Sequence, residues 1–506
     1  MPTFSFNARK VKTFQPSLQA RFLGIDTRAI AVFRIALGLL LMADSLLRYA
    51  YLGELLSDAG AQSRESVQQW NPLFGLYFMN GSAAWSGLLL SITIIVGVML
   101  TLGWRPRLMV ALGWFLIRCL HERTQISMQG GDILLRFLLI WAVFLPLNAA
   151  WSLGARRKKI NPIPKRSVIC NAATAALLAQ TAIIYISSAI TKSTDAWWTT
   201  GDLLWWDLQD PILTTSLGAR LLAYPDLLPP LIRSGYLLEW AALPLAFFPW
   251  RTATIRILLV FAMWGFHLLG IGLIFNLALF PWVSAASWIV FLPTSFWDRL
   301  ESYSTSAFVL IPAEKEAQVI AALPRAATLL VTCILVGIVG WNASWIGIHR
   351  MGKKFPKWMA DYARSVPIHQ GWDLFCYAPK SDARLVIVGT TADGNVVDLQ
   401  HIGSTVVWGQ EGLPPVTSPT YRWRRYINRI SEPRYEEGSK HYADYLCRRW
   451  EEQTGEPLVK AELWRVIQYR YPPDGSSPKP TEKKLFYTLN WREAPNDPAN
   501  SLSAKP

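Results

Sequence analysis

The chain is 506 residues long, 52% hydrophobic and only 17% charged, a balance that excludes a set of ordinary soluble domains. Its formal net charge of +15 raises nucleic acid as a partner. Before the C-terminal 158 residues, however, the Lys and Arg are divided among short loops between apolar runs, which points to a bilayer rather than nucleic acid.

In chain order, residues 1–29 are mixed and basic. No small-residue cleavage site follows the first apolar run, so that run is expected to act as an uncleaved anchor. Crossing the hydrocarbon takes about 20 apolar residues in a helix. On that ruler nine spans are predicted, near 30–47, 83–102, 108–119, 133–146, 168–190, 231–248, 255–272, 273–291 and 326–348. The third and fourth are short, and 270–276 is a tight connection, so eight or ten crossings stay open.

Alternate flanks carry the bulk of the basic residues: Arg9, Lys10, Lys12, Arg21 and Arg28; Arg105 and Arg107; Arg156 to Lys159 with Lys165 and Arg166; Arg251 and Arg256; Arg299, Lys315 and Arg325. The positive-inside bias then predicts a cytoplasmic N-terminus in a multi-pass cell (inner) membrane protein, and nine crossings put the C-terminal part outside. No internal repeat or matched pair of broken helices is visible, which weakens a carrier reading.

Residues 349–506 hold 23 Lys/Arg and 18 Asp/Glu and meet water. Strands are predicted at 384–389 and 395–399 around the Thr391-Ala392-Asp393-Gly394 turn, and at 461–471 and 484–491. A helix over 439–453 ends at Gly455. Residues 472–482 read as a loop and 494–506 as a frayed end. The five cysteines follow no spacing rule, and a Cys376 to Cys447 disulfide is left open. The predicted fold is an all-α polytopic membrane bundle of about nine helices (30–348), preceded by a cytoplasmic segment (1–29) and followed by a small β-rich α+β extracytoplasmic domain (349–506).

An ionisable group inside a span costs about 2.5–3.5 kcal/mol on insertion scales unless paired or wetted. Arg34 and Asp44 stand ~15 Å apart on one helix and cannot pair with each other; snorkelling or a structural partner elsewhere is the preferred account. Lys192, Glu239 and His267 differ, because the predicted directions of spans five to seven bring all three towards one outward-facing cavity. Desolvation there favours a neutral amine, which is a usable general base. Against this stand plainer readings: Lys192 as an interfacial snorkeller beside Trp197 and Trp198, His267 as a packing group, and Glu239 paired with Arg136. His121-Glu122 lacks the second His of a zinc motif, and no phosphate loop, CxxC pair or nucleophile elbow occurs. No metal site is expected.

Several stretches together resemble the horizontally transferred transmembrane (HTTM) family, bacterial relatives of vitamin K-dependent gamma-carboxylase. They are Phe33-Arg34-Ile35 with Asp44, Gly130-Gly131-Asp132-Ile133-Leu134 leading to Leu145-Pro146-Leu147, Thr191-Lys192 with Trp197 and Gly201, Leu238-Glu239 with Pro244, His267-Leu268 before Phe280-Pro281, and Leu292-Pro293 before Trp297-Asp298. In the tail, Trp372-Asp373-Leu374-Phe375 and Arg422-Trp423-Arg424-Arg425-Tyr426 are similar to the tails of such relatives. The resemblance implies Lys192 as the base that deprotonates a reduced, vitamin K-like quinone, with O2 and CO2 as co-substrates. It implies His267 and Glu239 as partners of that lysine and Trp197, Asp132 and Arg136 as cofactor-binding candidates. An extracytoplasmic protein or peptide would be the substrate. The rival reading is a non-catalytic quinone- or lipid-binding module whose outer domain recruits a partner.

Overall fold

The computed structural model describes residues 18–68, 75–153, 167–192, 195–305, 318–320, 323–351, 357–358, 369–408, 421–432 and 435–492. The basic stretches expected at 1–17 and 156–166, Lys315 and the expected frayed end lie outside them.

The N-terminal region is mostly helical. Its main helices are α1 (Thr27–Tyr49), α2 (Ala83–Leu102), α3 (Pro106–Arg123), α4 (Gly130–Val143), α5 (Ala172–Thr191), α6 (Leu228–Ala246), α7 (Thr252–Trp264), α8 (Phe280–Trp288), α9 (Thr294–Thr305) and α10 (Arg325–Met351). Among the described residues, five segments are long and apolar enough to cross a bilayer: Thr27–Tyr49, Ala83–Leu102, Ala172–Thr191, Thr252–Ile274 and Arg325–Ile348.

The other four expected spans fall on helices that are shorter or more polar. The third lies in α3, which carries Arg107, Arg118, His121, Glu122 and Arg123. The fourth lies in α4, which has only 14 residues. The sixth, α6, includes Arg233 and Glu239. The chain breaks at 275–279 rather than 270–276, so the eighth is a short apolar helix, Phe280–Phe291.

By internal contacts the chain divides into two compact units, Met1–Leu47 with Leu90–Arg118 and Gln129–Ala378, and Arg48–Leu89 with Cys119–Met128 and Pro379–Pro506. In the first unit, α1 and α2 cross where both lack side chains. A Cβ added at Gly38 would lie 2.6 Å from the Gly97 carbonyl oxygen, and one at Gly97 would lie 2.7 Å from that of Gly38. Such small-residue contacts let apolar helices gain backbone van der Waals packing where lipid offers no hydrophobic drive. Arg34, expected to snorkel or pair, is buried and donates to the carbonyls of Leu147 (2.9 Å), Ala150 (3.2 Å), Trp151 (2.7 Å) and Thr101 (3.3 Å). Its fork gathers carbonyls from the connection after α4 and from the last turn of α2.

A three-stranded sheet joins β1 (Ile25–Asp26), antiparallel to β2 (Ser167–Ile169), with β3 (Gln318–Ile320), parallel to β2. Beside it, buried Arg28 pairs with Asp26, Asp298 and Glu301, each at 2.9 Å.

The second unit is built on an antiparallel sheet of β4 (Ser381–Thr391), β5 (Val396–Asp398), β6 (Leu458–Tyr469) and β7 (Glu482–Asn490), in the order β5-β4-β6-β7. Helix α12 (Glu436–Thr454) stops at Gly455, whose φ of 72° suits glycine. Helix α11 (Tyr421–Ile430) was not anticipated. It turns Tyr426 and Ile430 into the core, while Arg425 and Arg429 donate to the carbonyls of Met128, Gln125 and Ile126. Those two arginines therefore serve their own unit. The core joins Leu385, Ile387, Leu446, Trp450 and Leu463 to Tyr51, Leu55, Ala61 and Ile126, which come from connections far earlier in the chain. Cys376 and Cys447 are separate buried thiols, so the disulfide left open is not formed.

Candidate functional site

Helix α5 begins at Asn171, whose side chain accepts from the amides of Ala173 and Thr174, while the Thr174 hydroxyl accepts from the Asn171 amide. This reciprocal cap fixes where the helix starts. Its far end fixes the site: Lys192 is the first residue beyond the helix, with extended ψ of 142°, and its amide still bonds to Ser188 (3.1 Å). A cation is favoured at a helix C-terminus, where unsatisfied carbonyls gather.

The Lys192 ammonium donates to Glu239 Oε2, and the two side chains are only 2% and 7% exposed. Lys192 is therefore not a surface snorkeller, and Glu239 pairs with it rather than with Arg136. The ammonium also sits 3.9 Å from the centre of the Trp197 ring, a cation–π contact. Trp197 lies in a π-helical turn, Asp195–Thr199. Helix α6 carries Glu239 and has Pro244 within it, which removes one backbone hydrogen bond. Arg256 donates to the Ala246 carbonyl at the end of the same helix (2.8 Å).

His267 lies in a second π-helical turn, Gly265–Ile271, that interrupts the long apolar helix begun by α7. Such widened turns occur often at functional sites. His267 is buried, within electrostatic reach of Lys192, and its Nε2 is 2.7 Å from the Tyr185 hydroxyl. The Trp288 indole donates to that same hydroxyl, also at 2.7 Å. The other ring nitrogen, Nδ1, has no hydrogen-bond partner among the described residues. A buried polar group left so costs about 1–3 kcal/mol, and such groups ask for an explanation.

Residues 369–376 close this region within the same unit. Gln370 accepts from Gln180 (2.9 Å) and from the Trp372 indole (2.8 Å), and its carbonyl accepts from Trp341 (2.6 Å). Thr191 donates to the Trp372 carbonyl (3.2 Å), and the Cys376 thiol to the Thr191 hydroxyl (3.3 Å). Trp197 donates to the Phe375 carbonyl (2.7 Å), and the Phe375 ring packs 5.0 Å from that of Phe275. Phe375 has φ of 60°, a left-handed conformation costing about 1–2 kcal/mol for a residue with a side chain. The hydrogen bond and ring contact hold it there. Burial pushes the Cys376 thiol up to about 11, against a smaller opposing pull from the Lys192 charge.

A family model described as the HTTM domain matches residues 22–297, more than half the chain. The chain belongs to the HTTM family. No curated protein and no solved structure matches it.

Within the HTTM domain, Lys192, Glu239, Trp197 and His267 come together, with Tyr185 and Trp288 behind the histidine. Asp132 and Arg136 have contacts of their own. Asp132 accepts from the Gln129 amide (2.9 Å) in the capping box that starts α4. Arg136 lies over Phe137 and donates to the His369 carbonyl at 3.5 Å. Among the described residues no group of His, Cys, Asp and Glu is arranged to hold a metal ion.

Sequence reasoning missed Tyr185, Trp288 and the residues of 369–376 as parts of one site. The signal for Tyr185 was present: Thr181, Tyr185, Ser188 and Lys192 follow at steps of four, three and four, one face of a helix. Trp372 to Phe375 stood out only as part of the tail.

Proposed function

We propose that this HTTM-domain membrane protein is a quinone-using, carboxylase-like enzyme in which Lys192 is the general base. The buried Lys192–Glu239 pair under the Trp197 ring carries the reading. Holding two ions away from water is costly. Passage of a proton from Lys192 Nζ to Glu239 Oε2 leaves two neutral groups that need less solvation. The amine then holds a lone pair ready for an acidic hydroxyl, and Glu239 keeps it oriented. The groups gathered here suit an oxygen-bearing aromatic ligand: Lys192 Nζ as donor, the His267 Nδ1 that lacks a partner among the described residues, and the Trp197 ring beside them. A reduced, vitamin K-like quinone, with O2 and CO2 as co-substrates, would supply the oxidative chemistry and the transferred carboxyl group. An extracytoplasmic protein or peptide is the proposed acceptor.

We further propose nine crossings, with a cytoplasmic N-terminus and the sheet-bearing region outside the inner membrane. The alternation of basic flanks supports this orientation. The helices below full spanning length would cross with flanking groups snorkelling or the bilayer thinned.

The test is quinol epoxidation and glutamyl-peptide carboxylation in membranes containing wild-type or Lys192→Ala protein. Activity is expected to fall roughly 10²–10⁴-fold, the usual contribution of a positioned base. Unchanged turnover in a folded variant would sink the assignment. A wild-type protein that retains quinone yet turns nothing over would be the non-catalytic binding module instead.

A further inference from the structure

We infer that Tyr185 is a positioning residue that locks His267 in the tautomer protonated on Nδ1, making that nitrogen a hydrogen-bond donor to an acceptor oxygen of the bound ligand. The argument is one of donors and acceptors. An indole N–H can only donate, so in the Trp288 contact the Tyr185 oxygen accepts. The hydroxyl has a single proton, and among the described residues its other hydrogen-bond contact is His267 Nε2 at 2.7 Å. That proton therefore goes to Nε2, which must present its lone pair.

A neutral imidazole has one N–H, and with Nε2 accepting it lies on Nδ1. Nδ1 is the buried nitrogen that lacks a partner among the described residues. The ring is held from several sides, edge-on to Tyr185 at 5.8 Å and to Phe280 at 5.9 Å, so the donor has a fixed direction. Its counterpart must accept a hydrogen bond, which selects a carbonyl or ionised hydroxyl oxygen and disfavours a ligand presenting an N–H at that point. The ligand half of this inference rests on the quinone reading; the tautomer half does not.

Nitrogen-15 spectra of histidine-labelled protein in detergent, with the His267 signals assigned by their loss in His267→Gln, decide the tautomer. Protonated Nδ1 and unprotonated Nε2 are expected in the wild type, whereas protonated Nε2 overturns the inference. Tyr185→Phe keeps the ring and removes the proton, and should move His267 towards the other tautomer. Trp288→Phe keeps the hydroxyl and provides a second, milder variant should the first not fold. Carbon-13-labelled menadione then tests the ligand half through the infrared frequency of its bound carbonyl. The frequency should be lowered in the wild type and return towards the free value in Tyr185→Phe. Binding with an unshifted carbonyl overturns the ligand half. Failure of menadione to bind removes the quinone reading, and the nitrogen spectra still decide the tautomer.

Discussion

Lys192 and Glu239 show how one contact ties stability to chemistry. Each is tolerable in a buried place because the other is there, so removing one should cost more than removing both. Glu239→Ala leaves the ammonium without its carboxylate, and about 3–5 kcal/mol of stability should be lost. In Lys192→Met with Glu239→Leu, where apolar groups fill similar volume, most of that loss should be recovered. Thermal unfolding of purified protein in detergent makes the comparison, and a double variant no better than Glu239→Ala would contradict the pairing. Cys376 offers a pH test outside the spans. Burial raises its thiol to about 11 in the folded chain, above the ordinary value near 8.5 of a free cysteine. Its contribution is intact below the unfolded value and is lost as the pH rises through the folded one. Stability should therefore decline from about pH 8.5 towards 11 by about 3 kcal/mol more in the wild type than in Cys376→Ser. Equal declines would show that the thiol does not titrate as described.

Among the elements, two π-helical turns carry site residues, Trp197 in one and His267 in the other. Periodicity alone draws both stretches as ordinary helix or turn, because one extra residue in a turn leaves no mark in composition. The apolar runs predicted helices well: α1, α2, α5 and α10 lie within a few residues of their expected ends. The α1–α2 crossing depends on Gly38 and Gly97 approaching at backbone distance. Gly38→Ala places a methyl group against backbone atoms that cannot rotate away, so the helices must separate. A destabilisation of about 1–3 kcal/mol is expected from such overpacking, read as an earlier midpoint in thermal unfolding. An unchanged midpoint would mean that the crossing is looser than drawn.

At the scale of the molecule, the water-facing part of the sequence does not make a complete core from its own residues. Tyr51, Leu55, Ala61 and Ile126 are integral to the cluster around β4, β6 and α12, and the buried Tyr426 hydroxyl donates to the Ala61 carbonyl at 2.6 Å. Residues 379–506 expressed alone should therefore expose an apolar face and fail to give a sharp, cooperative melt. A fragment that folds with dispersed amide signals would show those early residues to be dispensable. Local pattern was enough for the oily N-terminal region, for strands β4 to β7, for the stop at Gly455 and for the charged positions that needed partners, because apolar periodicity, turn residues and burial costs are properties of short stretches. The resemblance that marked Lys192, Glu239 and His267 was likewise carried by short motifs in order. Which groups actually meet was decided by the tertiary structure: Arg34 on four carbonyls, Arg136 on His369, Glu239 on Lys192, and Tyr185 between His267 and Trp288. Ion pairs and hydrogen bonds act over a few ångströms between residues 47, 82 or 103 positions apart, and only the packing of the helices sets which of them come within that reach.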